Sequence, residues 1–296
     1  MKISIALATF NGEKFIIEQL ESINKQSQQP NEVVISDDHS TDETKAIVEE
    51  YINDHNLSHW ILIDNELGKG VSNNFINALR HTSGDIVFLC DQDDIWEFDK
   101  VETMVAAFDN KVECVISAIK YINQEGKPII DKTAYTNKKD HVVNMSELCG
   151  VCSYLGMSSA YRRNTVDDTE NSFMKETAHD WALMIKASEK GIIKYIGKPV
   201  QRYRQHLNNA SVIKNGTRKK NRLDFIRRQI NILSNTKKYT KENNRRKILE
   251  TYVRFNKKRI EWISGKMVSS ILLNIPRYRQ LKFTFRNVVA DIVATL

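Results

Sequence analysis

Three carboxylates crowd the four residues Asp91-Gln92-Asp93-Asp94, directly after the apolar run Ile86-Val87-Phe88-Leu89-Cys90. Carboxylates at this density repel one another and need a cation or hydrogen-bond partners. Oxygen donors suit Mg²⁺ or Mn²⁺, and Mg²⁺ usually takes one or two carboxylates, waters and substrate phosphates. A solvated acidic turn capping a helix over 97–108 would use the same residues. Asp37-Asp38 repeats the arrangement after Glu32–Ser36. A carboxylate there could accept from a base or ribose, or simply cap the next helix. Asp180 lies early in an expected helix at 176–190, where Trp181 and Leu183 could shield it from water. It could take a proton there, or be an ordinary helix-start aspartate. His206 sits in the polar stretch 205–209 and could meet a metal or a diphosphate. Arg202 and Arg204 could also meet phosphate, and Lys100 could balance the acidic motif.

These residues act together only if the chain folds them to one place. Ile3–Ala8, Glu32–Ser36, Trp60–Ile63 and Asp85–Cys90 read as strands. Between them, helical spacing recurs after Asn11-Gly12, at 42–54 and near 71–82. Strands alternating with helices predict βαβ units and a mostly parallel sheet flanked by helices. Ligands of such sheets bind beyond the carboxyl ends of the strands. The polar clusters 9–13, 36–42 and 91–94 each follow a strand and should converge on one edge. Val112–Ile119 reads as a strand, 123–145 as loop or hairpin, and Tyr154–Tyr161 as a strand. Ile192–Ile196 and Val200–Tyr203 read as two short strands. Helices are expected near 219–238, 241–264 and 277–294.

Several function classes lose support at once. The first strand-to-helix turn, Ala8-Thr9-Phe10-Asn11-Gly12-Glu13, has neither the glycine pattern of dinucleotide enzymes nor that of P-loop proteins. The 296 residues are 41% hydrophobic and 27% charged, which is globular composition. No stretch approaches the roughly 18 apolar residues of a membrane span. Met1–Phe10 shows no cleavage site and leads straight into a helical pattern, so a cytoplasmic protein is expected. The four cysteines, Cys90, Cys114, Cys149 and Cys152, include one C-x-x-C without the second ligand pair that zinc needs. Free thiols in a reducing compartment are the expectation.

The ordered set of motifs resembles the family-2 glycosyltransferases of GT-A fold. Thr9-Phe10-Asn11 is similar to their T-x-N strand end, Ser36–Asp42 to their D-D-x-S-x-D loop, and Asp91-Gln92-Asp93 to their D-x-D motif. Asp91–Trp96 with Lys100, His179-Asp180-Trp181, and Tyr203–His206 with Asn208-Asn209 resemble the bacterial rhamnosyltransferase-like branch. The resemblance covers roughly residues 1–213. It implies that Thr9, Asn11, Glu13, Asp38 and Asp91 hold the nucleotide. Asp91 and Asp93, with His206, would hold Mg²⁺ or Mn²⁺, and Asp180 would be the catalytic base. Trp96, Gly156, His179 and Trp181 would belong to the acceptor side. The branch's acceptor strand corresponds to Gly156-Met157-Ser158-Ser159, and His39 stands where many relatives carry Gly or Asn. The implied reaction moves a sugar, with inversion, from dTDP-rhamnose or a UDP-hexose to a hydroxyl of a lipid-linked saccharide in cell-surface polysaccharide synthesis.

The net charge of +7 hides an asymmetry. Residues 1–213 carry 22 Lys/Arg against 32 Asp/Glu, and residues 214–296 carry 22 against 5. The expected organisation is a catalytic domain over 1–213, with a donor half to about 110 and an acceptor half beyond it. A basic helical extension over 214–296 follows. Basic amphipathic helices bind anionic membrane surfaces, so peripheral contact at the inner face of the cell membrane is expected. The same charge would also fit a solvated face packed on the catalytic domain, or self-association through the C-terminal helices. Two other functions use the same features: a catalytically silent GT-A fold in an assembly, and a nucleic-acid-binding protein. The latter has no nucleic-acid motif beside its charge.

Overall fold

A computed structural model describes residues 1–129, 139–151, 154–206, 209 and 217–296. Cys152, Asn208 and the expected boundary at 213/214 lie outside the described residues. The chain divides into two compact units. The first comprises 1–142, 155–175 and 179–207; the second comprises 143–154, 176–178 and 208–296.

The first unit is built on a mixed sheet. Its strands are β1 (Ile3–Thr9), β2 (Glu32–Asp37), β3 (Trp60–Asp64), β4 (Ile86–Asp91), β5 (Ile95–Trp96), β6 (Val112–Ile122), β7 (His141–Val143), β8 (Ser159–Arg162) and β9 (Ile192–Arg204). The order is β3-β2-β1-β4-β8-β6-β9-β5, with β7 off this path. β1 to β4 are mutually parallel, and β8 is antiparallel to both β4 and β6. Helices α1 (Ile16–Asn24), α2 (Thr44–Asp54) and α3 (Val71–His81) make the crossovers. Ile86–Cys90 is buried at every position, the pattern of a strand covered on both faces. Ile5, Leu7, Val33, Ile35 and Phe88 pack with Leu20 and Ile23 of α1 in one core.

The parallel register fixes the functional edge. Thr9 pairs with Asp37, Asp37 with Asp64, and Ala8 with Asp91. The strand ends 9, 37, 64 and 91 therefore form one row.

Several elements differ from expectation. The two strands expected at 192–203 are one, β9, thirteen residues long. The helix expected at 97–108 shrinks to α4 (Lys100–Val105). The stretch 154–161 opens with a 3₁₀ turn at Gly156–Ser158 and only then becomes β8. In the chain α5 (Met145–Val151) precedes that stretch and α6 (Arg163–Asp167) follows it, and the helix expected at 176–190 begins only at His179, as α8 (His179–Lys190), after a separate short helix α7 (Asn171–Glu176).

The second unit pairs two 22-residue helices, α9 (Arg218–Tyr239) and α10 (Asn243–Ser264), with α11 (Val268–Leu273), α12 (Ile275–Gln280) and α13 (Phe285–Thr295). The expected helix at 277–294 is broken because Lys282 takes a φ of 57°, outside the helical region. Two of the tail's arginines turn inward. Arg259 and Arg222 both bind buried Asp291, which also accepts from Tyr278. Burial alone would push the Asp291 carboxyl up, but Arg259 and Arg222 hold it below the usual range. Part of the basic excess is thus structural. Among the described residues, no helix is long and apolar enough to cross a membrane.

Candidate active site

The loops after β1, β2 and β3 are knitted by side chains. The Thr9 hydroxyl donates to Asp37 Oδ2 at 2.7 Å, and Ser40 donates its N–H and its hydroxyl to the same carboxylate. Asn11 takes a left-handed φ of 47°, accepts from the Thr41 N–H at 2.8 Å, and donates its own N–H to Ser40 Oγ. Asn tolerates that conformation because its short amide bonds locally. Glu13 Oε2 accepts from the Glu43 N–H. Asp38 accepts from Asn65 Nδ2 at 2.7 Å and from the Gly70 N–H at 2.8 Å, which fixes the loop after β3. Thr9, Asn11, Glu13 and Asp38 therefore share one hydrogen-bonded mesh at the strand-end row. His39 has a φ of 61°, a left-handed conformation that Gly and Asn adopt most readily.

The acidic turn is anchored from both sides. Gln92 accepts from the Phe10 N–H at 2.8 Å and donates to the Phe10 carbonyl at 2.9 Å. This clamp needs Gly12, since a Cβ there would lie 2.2 Å from Gln92 Oε1. Asp94 is fully buried and accepts from Gln201 Nε2 and from the Arg204 N–H. Asp93 Oδ2 lies 2.7 Å from His206 Nε2.

Arg204 does not face a phosphate site. It is 1% exposed, bonded to Glu18 Oε2, the Asp93 carbonyl and the Gln124 carbonyl, and stacked over Phe15. Arg202 pairs with Glu97. Trp96, expected on the acceptor side, is 3% exposed and lies beneath the Lys100 ammonium, 3.8 Å from its ring centroid. Its position supports the acidic turn from within the core and presents little surface to an acceptor.

Asp180 stands in the first turn of α8, and its Oδ1 accepts from the Trp181 N–H at 2.8 Å. Gly156 leaves room for it: a Cβ there would lie 2.6 Å from Asp180 Cβ and 3.0 Å from Asp180 Oδ2. Buried Trp181 helps fix this end of the helix. His179 stacks on Phe75 at 4.2 Å, and its Nδ1 lies 3.4 Å from Ser72 Oγ, which docks α8 on α3.

Electrostatics tie these parts together. Burial pushes the Asp91 carboxyl up to about 7, and the charges of Asp93 and Asp180 add to this while Lys100 opposes it. Burial also pushes Asp94 well above the usual range, with Asp93 and Asp91 adding to it. One ligand oxygen from each of Asp91, Asp93 and Asp94 lies within 4.8 Å of the others. The two Asp94 oxygens already face Gln201 and Arg204, so Asp91 and Asp93 are the pair placed to receive a cation. Two carboxylates this close, one of them pushed up by burial and by its neighbour's charge, are a donor set that fits Mg²⁺ or Mn²⁺.

The comparisons with known proteins agree with this fold. A family model described as Glycosyl transferase family 2 matches residues 4–169. The chain belongs to that family and is a glycosyltransferase of GT-A fold. It is 32% identical over 217 residues to the dTDP-rhamnosyl transferase RfbG of Shigella flexneri, covering 69% of this chain and 72% of that one. It is 30% identical over 192 residues to the poly(ribitol-phosphate) beta-N-acetylglucosaminyltransferase TarS of Staphylococcus aureus, covering 63% of this chain but only 32% of TarS. The structure of S. aureus TarS 1–349 with UDP-GlcNAc superposes with a TM-score of 0.65 at 19% identity, covering 100% of this chain and 89% of that one. The mannosyltransferase PcManGT of Pyrobaculum calidifontis, in complex with GDP-Man and Mn²⁺, gives 0.61 at 19%, covering 99% and 86%.

Proposed function

We propose that the protein transfers a sugar, with inversion, from a nucleotide-sugar to a hydroxyl of a saccharide acceptor, in a divalent-metal-dependent reaction of cell-surface polysaccharide synthesis. The observation that carries this reading is the clustering of Asp91, Asp93 and Asp94 oxygens within 4.8 Å of one another at the carboxyl end of β4, with the charge of Asp180 adding to the upward push on the Asp91 carboxyl. Asp91 and Asp93 would hold Mg²⁺ or Mn²⁺, with His206 beside Asp93. The ion, when bound, supplies charge neutralisation at the donor's diphosphate. Thr9, Asn11, Glu13 and Asp38 lie in the mesh that would shape the nucleoside pocket.

Asp180 takes the proton of the acceptor hydroxyl as that oxygen forms its bond to the anomeric carbon. The bond from that carbon to the diphosphate breaks on the opposite side, and the nucleoside diphosphate leaves with the electron pair. Gly156 keeps the space around the base open, and His179 with Trp181 fixes the start of α8.

The similarity to RfbG favours dTDP-rhamnose as donor, with a UDP-hexose as the alternative. Thermal shift separates them, because a ligand of the folded state raises the melting temperature by mass action. A shift with dTDP that requires Mn²⁺, and none with UDP, GDP or CDP, is the expected result. No shift with any nucleotide, with or without Mn²⁺, would remove the donor-binding reading.

The acceptor is proposed to be lipid-linked, with the enzyme peripheral at the cytoplasmic face of the membrane. Exposed Arg246, Arg254, Lys257 and Lys258, with Lys237, outnumber Glu250 and Glu261 along a groove of α9 and α10. This charge suits anionic headgroups, at about 1 kcal/mol per basic residue near the surface. In flotation with phosphatidylglycerol vesicles, replacing these five by Gln is expected to leave the protein at the bottom of the gradient. Undiminished flotation would end the docking idea, and self-association through these helices would instead show as a dimer by light scattering.

A further inference from the structure

Lys100 opens α4, yet its side chain has no exposure at all. Its ammonium donates to the Met157 carbonyl at 3.0 Å and to Gln201 Oε1, and lies over the Trp96 ring. Gln201, equally buried, passes the contact on through Nε2 to Asp94 Oδ2. The other Asp94 oxygen accepts from the Arg204 N–H at 3.0 Å. A line of hydrogen bonds thus runs from Met157, through Lys100 and Gln201, into the acidic turn.

The far end of this line matters as much as the near one. Met157 is the middle residue of the 3₁₀ turn Gly156–Ser158, and Gly156 in that turn is packed against Asp180. One buried amino group therefore joins the turn that carries Asp91 and Asp93 to the turn against which Asp180 rests. An apolar side chain would fill the space at position 100 with a smaller desolvation penalty. Packing alone does not account for a lysine there. The chain of bonds does, because a rigid link between two turns transmits position, which side-chain packing over Trp96 would not specify.

We propose that Lys100 is a positioning residue for the transfer reaction: through Gln201 and the Met157 carbonyl, it sets the distance between the Asp91–Asp93 pair and Asp180. The proposal rests on the metal-dependent reading given above. Lys100 touches neither substrate nor ion in it, and acts through Asp94 on one side and through the Gly156–Ser158 turn on the other.

The test uses Lys100→Met and Gln201→Met, which keep side-chain length, with Asp93→Asn as reference. Mn²⁺ affinity is read from the electron paramagnetic resonance of free Mn²⁺, and kcat and donor KM are read separately. Loss of a group that orients a metal ligand weakens metal binding about 10- to 100-fold. Both Met variants act on the ligand pair one residue further out, through Asp94, and are expected to weaken Mn²⁺ binding by about 10-fold, the lower end of that range. Lys100→Met is also expected to lower kcat about 100-fold with donor KM little changed, the effect of a displacement of about 1 Å. Gln201→Met keeps the Met157 link and should lose less kcat. A purely structural role would lower only the melting temperature. If Lys100→Met does not fold, the Mn²⁺ affinity of Gln201→Met decides. Wild-type protein that binds Mn²⁺ no better than Asp93→Asn overturns the metal reading and this proposal with it. Mn²⁺ binding lost in Asp93→Asn but kept, with full kcat, in the Met variants that fold overturns the proposal alone.

Discussion

Replacing Asp180 by Asn is expected to lower kcat about 100- to 10,000-fold, the usual contribution of a positioned general base, and to leave nucleotide-dependent thermal shifts intact. The substitution is nearly isosteric. The bond that Asp180 Oδ1 accepts from the Trp181 N–H survives in Asn, so the first turn of α8 stays formed. The change therefore removes basicity and little else. Gly156→Ala attacks the same group through position. Its Cβ would meet Asp180 Cβ at 2.6 Å, and both atoms are held by backbone, so the aspartate has to move. That variant should keep the carboxylate and still lose about 100-fold, because a shift of about 1 Å at a reacting group costs that much. Full activity in Asp180→Asn would show that another group takes the proton.

The second large effect belongs to Asp93→Ala. Turnover is expected to fall at least about 1000-fold, since charge neutralisation by a metal is worth several kcal/mol in such a transition state. The Mn²⁺-dependent thermal shift should vanish with it. A further signature comes from linkage. The Asp91 carboxyl is raised from its ordinary 3.8 to about 7, by burial first and then by Asp93 and Asp180. Between about pH 4 and 7 the folded protein holds a proton that the unfolded chain releases. Stability without a divalent ion therefore falls as pH rises through that window. Removing the Asp93 charge removes one cause of the shift, so the fall should flatten, by on the order of 1 kcal/mol. Melting temperature against pH, in chelator, measures this. Activity retained in Asp93→Ala would defeat the metal-dependent reading, and an unchanged slope would show that Asp93 does not press on Asp91.

The convergence of the site was legible along the chain. Apolar runs at 3–8, 32–36 and 86–90, each followed by a polar cluster, can be read locally because a buried parallel strand imposes its own composition. Parallel pairing then puts Thr9, Asp37 and Asp91 in one row without further information. Asp180 was marked by its motif and its helix start. The mesh itself was not legible. Asn65 and Gln201 lie in no motif and Gln92 fills only the variable place of one, and their partners lie 27, 107 and 82 residues away.

Two side chains show the same limit from the other direction. Phosphate contact was one option for Arg204, whose guanidinium suits that anion, yet its bonds go to Glu18 and to carbonyls at 93 and 124. The family resemblance put Trp96 on the acceptor side, yet β5 pairs with β9 and turns it beneath Lys100. Helix breaks in the second unit were equally hidden, since the positive φ at Lys282 has no glycine to announce it. The sequence by itself determined the family, the strand ends and the residue types that meet there, because these depend on local pattern and order. Which side chains face the reaction and which lock the loops was decided by the tertiary structure alone, because a polar group's role is set by the partners that remain within about 3 Å once water is excluded.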